Sequence, residues 1–599
     1  MMLSDTPSEA VAAEMRRTLG VGEVVTVVLL LFMACAVVAA YALDMGGWSI
    51  SPLATSVLAL AGAGLLAMAW RKVGWFRVSF DVGETLGWLT VVVGLLVFIL
   101  WLAWPSLLPL SESSDTTHHA SFTEFIMARE ALAHDAKLDA YLGEMVIYPA
   151  GAHILAALVG TFLGVPGLLS LHPLLALVVS VKAGLIYLII LRLLPPQRRF
   201  PGLALAGTVL LLVPWDAFIG SFTRWYFFPM VVSETFAVGA LWALLVWDQE
   251  ASRQTAAIAP LTFYVACGVA VALIWPTWLP IVALTLIVLV LIRPGLSIAQ
   301  RVLALGIALV PVAAVELVYT LNHPNDVGVL GNEGSVLRPS VALYSLPLLA
   351  LAVLGAVTSV RNRRALPVWS FAIAVLAVLG GLLFLATRGR VAYYFVYKMF
   401  YLAQYGLVLF AALGLDAAFG WLQSLSPAGL TRRLSLVSWA LALLIAAVVL
   451  WRIWPPSRVS VVQAPLYEAG VWAKAHVPNS CIDYVVDSPL TSYWLHVQVL
   501  GNPRGSPRTE AIVAGFGDQP QGDDRWKSLP DLPYAIVANL DQVPARFRSQ
   551  MKVLHTSGPA AVVQREGICR DTTIPIERVT LASRGETLAR QIGVGAAQP

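Results

Sequence analysis

Apolar segments long enough to cross a lipid bilayer recur through three quarters of this chain. A transmembrane helix needs about 20 mainly apolar residues. The 599-residue sequence predicts spans at 22–43, 51–70, 86–108, 167–191, 200–214, 229–248, 256–275, 277–293, 301–321, 340–360, 365–387, 391–419 and 434–454. Charged residues make up only 12% of the chain, about half the share typical of soluble domains. We therefore predict a polytopic α-helical membrane protein.

The overall charge of the chain is small. Lys and Arg number 39 and Asp and Glu number 35, which gives a formal net charge of +4 at pH 7. A protein that binds nucleic acid through its phosphates needs a strongly basic surface. We therefore expect the lipid bilayer as a partner and no nucleic acid.

The positions of Lys and Arg between the spans predict the orientation. They cluster in six connections, at 16–17, 71–77, 198–199, 293–301, 361–364 and 432–433. All six lie on the cytoplasmic side only if the apolar stretch 146–164, which Pro and Gly residues flank, does not cross completely. We predict about 13 spans plus one re-entrant or peripheral helix, in the plasma membrane, with a cytoplasmic N-terminus.

The composition changes sharply after the last predicted span. The following residues contain short alternating stretches typical of strands and one helix-like stretch; these are Cys481–Val486, Tyr534–Ala538, Ala561–Gln564 and Leu466–His476. We predict a multi-span domain, 1–455, whose large outer loop covers 109–145. An extracytoplasmic α/β domain, 456–599, follows it.

The predicted outer loop concentrates ionisable side chains just beyond a span. It holds seven acidic residues, and Asp115, His118, His119 and Glu124 fall within one helix length. A carboxylate at the boundary between water and lipid can take the proton of an acceptor hydroxyl as a lipid-borne donor reacts. We expect these four residues to be catalytic, with Asp115 as the base. The alternative is a merely solvated loop.

The same stretch raises the question of a metal ion. Neighbouring residues on a helix point about 100° apart, so His118 and His119 do not easily share one ion. No metal ligand is assigned, and a divalent cation stays an alternative. Tyr148, His153 and Arg129 are expected to line the cavity for the acceptor, although His153 is equally consistent with a satisfied interior histidine.

A second cluster lies at the outer end of a late predicted span. Arg388, Arg390, Tyr394 and Lys398 place positive charge on the outer side, against the usual bias. Lys398 falls inside the apolar helix, where an ionisable group is costly and usually functional. Together with Arg224, from an aromatic-rich loop, these residues predict a binding site for a lipid phosphate. The alternatives are snorkelling arginines and an interfacial aromatic belt.

The four cysteines divide into two pairs by location. Cys481 and Cys569 fall in the predicted extracytoplasmic domain, where oxidation is allowed, and we predict a disulfide between them. Cys35 and Cys267 lie in predicted spans, where cysteine acts as a small apolar residue.

The layout resembles a known superfamily. The acidic outer loop, the motif Tyr148-Pro149-Ala150-Gly151 opening a helix, the many spans and the C-terminal outer domain resemble the GT-C membrane glycosyltransferases. The chain looks most like the actinobacterial galactan arabinofuranosyltransferases of the AftA type, also in the segment from Tyr393 to Lys398. The resemblance implies that Asp115 is the base. It also implies a polyprenyl-phosphate-linked sugar donor, here decaprenyl-phosphoryl arabinose, and cell-wall galactan as the glycan acceptor.

Three functional hypotheses follow. The first is an inverting membrane glycosyltransferase, specifically a pentosyltransferase, acting at the outer face. The second is a transporter or flippase of a lipid-linked sugar, which needs polar groups through the whole membrane depth. The third is a non-catalytic scaffold. The clustering of polar groups at the outer end favours the first.

The orientation can be tested with a reporter that is active only in the cytoplasm. Fused after Pro599, it should stay silent, because the basic connections place the C-terminal domain outside. The same reporter fused after Arg199, at a predicted cytoplasmic connection, should be active. Activity after Pro599 would mean that the span count is wrong by one, and the argument for a site on the outer side would then fail.

Overall fold

The computed structural model of the chain describes residues 18 to 569, with gaps at 76, 111–112, 135–137, 251–257, 323–333, 335, 425–430, 455, 457, 461 and 515–531. The longer helices are α1 (Val21–Met45), α2 (Pro52–Lys72), α3 (Val82–Leu102), α4 (Asp115–Arg129), α5 (Gly151–Leu163), α6 (Gly167–Leu193), α7 (Pro201–Val209), α8 (Phe228–Glu250), α9 (Ile258–Ile274), α10 (Leu279–Ile292), α11 (Ile298–Asn322), α12 (Leu346–Ser359), α13 (Leu366–Thr387), α14 (Tyr393–Ser424), α15 (Thr431–Ile453), α16 (Ala464–His476) and α17 (Pro507–Ala514). Shorter turns lie at Asp139–Leu142, Trp215–Phe218, Gly220–Thr223, Val341–Tyr344, Pro489–Tyr493 and Ala545–Arg548.

The prediction of a polytopic α-helical membrane protein is confirmed. Each predicted span corresponds to one helix of the set α1–α3 and α6–α15. Among the described residues, nine helices have the length and hydropathy to cross a membrane. The four others, α7, α9, α10 and α12, are apolar but shorter. The helix α7 is short because it starts at Pro201 and tightens into a 3₁₀ turn at Leu210–Leu212.

The basic connections at 198–199, 293–301 and 361–364 meet at one end of the bundle, which we call the basic end. There the helix termini are joined by ion pairs, namely Glu23–Arg192, Glu84–Arg199, Asp248–Arg293 and Asp416–Arg198. Arg364 adds a hydrogen bond of 3.1 Å to the Leu194 carbonyl. These connections therefore share one side of the protein, as their sequence distribution predicts.

The helix α5 does not cross the bundle. Its 13 residues span about 20 Å, less than the ~30 Å hydrocarbon core. The short helical stretch Asp139–Val146 precedes it at an angle of 118°. The Ala150 N–H, just before α5, donates to the Tyr41 hydroxyl at 2.8 Å, and the Gly167 N–H, just after it, donates to Glu124 at 2.6 Å. Both ends of α5 therefore lie at the end opposite the basic end, which we call the loop end.

A fully buried ion pair lies inside the bundle. Lys182 of α6 donates to Glu234 of α8 at 2.6 Å, and each side chain is 1% exposed. The Tyr405 hydroxyl of α14 donates to the same carboxylate oxygen at 2.6 Å. Because three helices contribute one residue each, this pair fixes how α6, α8 and α14 are rotated about their axes.

The chain after α15 forms a small α/β unit, as the sequence predicts. Its sheet has the order β3-β4-β6-β5, with β3 (Ile482–Val485), β4 (Tyr534–Val537), β5 (Lys552–Ser557) and β6 (Ala560–Gln564). The pair β3–β4 is parallel and the other two pairs are antiparallel. The exposed edge strand β5 is absent from the prediction because a register shift between Val553 and His555 breaks its alternation.

Two further pairings complete the fold. A short parallel pair, β1 (Thr18–Gly20) with β2 (Arg77–Ser79), lies at the basic end. The predicted pair Cys481 and Cys569 is joined by a disulfide, and Cys35 and Cys267 are free thiols.

The buried ion pair generates a test of the bundle. Lys182→Met leaves the Glu234 carboxylate buried without its partner and should lower the free energy of unfolding by about 3–5 kcal/mol. The double variant Lys182→Met/Glu234→Gln should recover most of this loss, since no charge is then buried. Unfolding of the purified variants in detergent measures both, with exposed Lys72→Met as the control. A double variant as unstable as the single one would show that packing, and not charge, is lost.

Candidate functional site

The first turn of α4 carries Asp115. Its backbone N–H donates to the Ser113 hydroxyl at 3.2 Å, and the Thr117 hydroxyl donates to the Ser114 carbonyl at 2.5 Å. Thr116 and Thr117 are buried against the bundle, whereas Asp115 is exposed. The helix thus presents the carboxylate to solvent at the loop end.

Lys398 lies in the second turn of α14, inside an aromatic cage. Its Nζ is 4.2 Å from the ring centroid of Tyr394, 4.5 Å from that of Phe227 and 4.6 Å from that of Trp275. The residue is 4% exposed. Ammonium groups are attracted to aromatic faces at such distances. Within the described ranges, no carboxylate forms an ion pair with Lys398.

Asp115 and Lys398 lie in the same region of the loop end. The charge of Asp115 acts on both Lys398 and the Tyr394 ring. The structure thus brings together one residue of the predicted catalytic loop and two residues of the predicted phosphate site. An exposed carboxylate and a buried ammonium, drawn from distant parts of the sequence, share one region.

Two histidines pair beside this region. His119 Nδ1 lies 3.0 Å from His153 Nε2, and both side chains are buried. Burial and the neighbouring His153 and His118 lower the pKa of His119 well below its ordinary value. The Tyr148 ring contacts both histidines and Trp275. The predicted residues Tyr148 and His153 therefore connect with the wall of the Lys398 cage.

The two neighbouring histidines face different partners, as their angular separation predicts. His118 points away from His119, towards Glu144, with 2.6 Å between Nδ1 and Oε1. Among the described residues, no group of three or more His, Cys, Asp or Glu side chains is arranged to hold a metal ion.

Glu144, which the sequence did not single out, joins the loop to the C-terminal unit. It accepts hydrogen bonds from His118 at 2.6 Å and from Arg504 at 3.1 Å. Partial burial raises the pKa of Glu144, but the hydrogen bond and charge of His118 and the charge of Arg504 lower it by more. The resulting pKa is about 2. The carboxylate is therefore ionised at neutral pH. Neither its charge nor its spacing distinguishes it in sequence from the other acidic residues of the loop.

Two further predicted residues of the loop, Glu124 and Arg129, lie further along α4 than Asp115. Glu124, expected to be catalytic, accepts the Gly167 N–H at 2.6 Å and so satisfies a backbone donor at the start of α6. Arg129, expected to line the acceptor cavity, ends α4, whose first residue is Asp115. A helix of this length separates the two by about 21 Å. Both residues therefore lie beyond the first turn of α4, which carries Asp115.

The three predicted arginines lie at exposed positions. Arg388 packs over the Phe384 ring at 5.2 Å, and Arg390 lies in the turn between α13 and α14. Arg224 packs over the Trp225 ring at 5.3 Å. Of the predicted phosphate ligands, Lys398 is the buried one.

The cage walls Phe227 and Trp275 were not predicted as site residues. Phe227 follows Tyr226, whose φ of 54° lies in the left-handed region although its side chain is fully buried. Backbone held in this way is common at binding sites. The signals in sequence are the aromatic run 225–228 and the Trp275-Pro276 pair that ends α9. An interfacial belt would have the same composition.

The fold and the site together define a multi-pass helical membrane protein with a charged, aromatic-lined site at one end of its bundle. No protein-family model and no curated protein matches the sequence.

Two solved structures are similar to the chain. One is ArnT from Cupriavidus metallidurans in the apo state, at 14% identity and a TM-score of 0.45; the other is ArnT bound to undecaprenyl phosphate, at 13% identity and 0.43. Each match covers 80% of this chain and 98% of the other. Both TM-scores lie below 0.5, so these two structures carry no argument about the function of this chain.

Proposed function

We propose that the protein is a glycosyltransferase of the GT-C type. It transfers a sugar from a polyprenyl-phosphate carrier to a glycan acceptor at the outer face of the plasma membrane. The observation that carries this proposal is the buried ammonium of Lys398 inside its aromatic cage, within reach of the charge of the exposed Asp115 carboxylate.

The Lys398 cage supports the phosphate half of the proposal. Removing an ammonium from water costs several kcal/mol unless an opposite charge compensates it, and cation–π contacts return roughly 2 kcal/mol. A lipid phosphate that enters from the bilayer supplies the missing negative charge. The aromatic walls exclude water, which strengthens this attraction.

Asp115 supports the chemical half. The acceptor hydroxyl attacks the anomeric carbon of the donor, and the bond from that carbon to the phosphate oxygen breaks. The leaving phosphate keeps the electron pair, and Lys398 stabilises its charge. The proton of the hydroxyl passes to Asp115. Attack from the face opposite the phosphate inverts the anomeric centre.

The resemblance of the sequence to the AftA type supports our proposal for the sugar and the acceptor. The AftA-like layout favours arabinofuranose, donated by decaprenyl-phosphoryl arabinose to cell-wall galactan. The paired histidines His119 and His153 and the ring of Tyr148 contact one another beside the Lys398 cage, and we propose them as the wall of the acceptor cavity. Aromatic rings and neutral imidazoles suit a polar, uncharged glycan.

A flippase is the competing function, and the ion pair Lys182–Glu234 bears on it. A transport path needs polar groups that solvent or substrate can reach. Lys182 and Glu234 instead bond to each other, and each is 1% exposed. This closed pair favours a structural role and supports chemistry at the loop end.

The test is a membrane assay with a series of labelled polyprenyl-phosphate pentoses and hexoses. Vesicles containing the purified protein should consume one donor and move its label to an added glycan. Decaprenyl-phosphoryl arabinose with galactan is the expected pair. Movement of an intact donor between leaflets, without consumption, would contradict the proposal and indicate a flippase.

Asp115→Asn keeps the size of the side chain and removes its charge. Because the general base is lost, turnover should fall by roughly 10²–10⁴-fold, while insertion and donor binding are kept. Asp139→Asn, at an exposed position of the same loop, is the matched control and should retain turnover. Near-normal turnover in Asp115→Asn would show that another group takes the proton.

Lys398→Met removes the buried charge and keeps an apolar side chain. Affinity for the donor should fall about tenfold or more, as expected for a lost charge-assisted hydrogen bond. Expression should be kept. Lys398→Arg should keep only part of the donor affinity, because the planar guanidinium of arginine is larger than the ammonium of lysine. Donor binding in lipid nanodiscs is the measurement, with exposed Lys72→Met as the control. Unchanged affinity in Lys398→Met would assign the lysine a structural role.

A further inference from the structure

The C-terminal unit contacts the helix that carries Asp115. The π-helical segment Trp494–Val499 follows Tyr493, and its side chains meet α4. Ser121 donates to Gln498 at 2.6 Å, and His118 Nε2 lies 3.1 Å from the Tyr493 hydroxyl. Segments of π-helix frequently occur at functional positions. This contact joins parts of the chain that are more than 370 residues apart.

A second contact reaches the same histidine from the other side. His118 Nδ1 meets Glu144 at 2.6 Å, and Glu144 accepts from Arg504 at 3.1 Å. Arg504 also donates to the Leu142 carbonyl at 2.8 Å. The approach needs Gly143, because a Cβ there would lie 2.5 Å from the Arg504 guanidinium, and its φ of 55° is left-handed. The two contacts hold both nitrogens of the His118 ring.

The tautomer of His118 follows from these partners. A carboxylate only accepts, so Nδ1 carries a proton and donates to Glu144. In neutral His118, Nε2 then accepts from the Tyr493 hydroxyl. The ring is thereby fixed in position and orientation.

We propose that His118 is a positioning residue: it ties the first turn of α4 to the C-terminal unit, through Tyr493 on one side and Glu144 and Arg504 on the other, and so aims Asp115. His118 follows Asp115 by three residues, which places both on neighbouring positions of one helix face. The inference rests on the proposed function. It gives the C-terminal unit an indirect part in the reaction, through the position of Asp115.

Geometry explains why such a tie matters. The first turn of α4 otherwise has local hydrogen bonds, from Asp115 to Ser113 and from Thr117 to Ser114. A displacement of about 1 Å in a reacting group can cost about 10²-fold in rate. Donor binding depends on Lys398, which the tie does not touch, so a loosened tie changes turnover without changing donor affinity.

The test uses the full chain in lipid nanodiscs. Arg504→Gln and Tyr493→Phe each remove one side of the tie, and Lys552→Gln, on the exposed strand β5, is the control. We expect hydrogen exchange of residues 115–121 to rise about tenfold. We also expect kcat to fall about tenfold or more, while the donor KM changes less than about twofold. Arg504→Lys should keep only part of kcat, because a lysine cannot donate to the Leu142 carbonyl and to Glu144 together.

A covalent replacement of the tie separates positioning from general damage. In Arg504→Gln, the pair Ser121→Cys and Gln498→Cys joined by a short bifunctional thiol reagent should restore kcat; the single-cysteine variants should not. Unchanged exchange of α4, unchanged kcat, or a change confined to donor KM overturns the inference. If the intact protein transfers no sugar, the proposed function fails, and the positioning role fails with it. Hydrogen exchange then reports separately whether the tie holds α4.

Discussion

One positive charge, enclosed by aromatic rings at the end of an apolar bundle, is the constraint on which the site depends. The cage of Lys398 draws Phe227 from the segment before α8, Trp275 from the end of α9 and Tyr394 from α14 itself. It therefore exists only when these helices are packed correctly. Its contacts compensate part of the desolvation of the ammonium, and the proposed lipid phosphate would compensate the rest.

The interior of the bundle sets the direction in which Lys398 points. Lys398, Tyr401 and Tyr405 follow one another at spacings of three and four residues, so they share one face of α14. Tyr405 is bonded to the ion pair Lys182–Glu234. That pair thus fixes the rotation of α14 about its own axis, at a level about 10 Å deeper in the bundle than Lys398. Ion pairs also join the helices at the basic end, whereas Asp115 is exposed at the loop end.

Much of the fold could be predicted from the sequence, because apolar length and the distribution of Arg and Lys follow directly from the bilayer. The incomplete crossing of α5 was predicted from the Arg and Lys residues of basic connections elsewhere in the chain. Asp115 and Lys398 were predicted to be site residues because they are ionisable and lie near the ends of predicted spans. The partners of these residues could not be predicted, since Phe227, Trp275 and Arg504 reach the site through tertiary packing. The hydrogen bond of Glu124 to the Gly167 backbone could not be predicted either, because it depends on how α6 begins. The AftA-type assignment stays a prediction.

The most direct test of the central claim is a cryo-electron microscopy structure of the protein with a polyprenyl phosphate in lipid nanodiscs. The account predicts phosphate density at hydrogen-bond distance from Lys398 Nζ, inside the cage of Tyr394, Phe227 and Trp275. The isoprenoid chain should leave towards the bilayer, and Asp115 should stay open to the acceptor side. Phosphate density at the basic end, with the Lys398 cage unchanged, would contradict it.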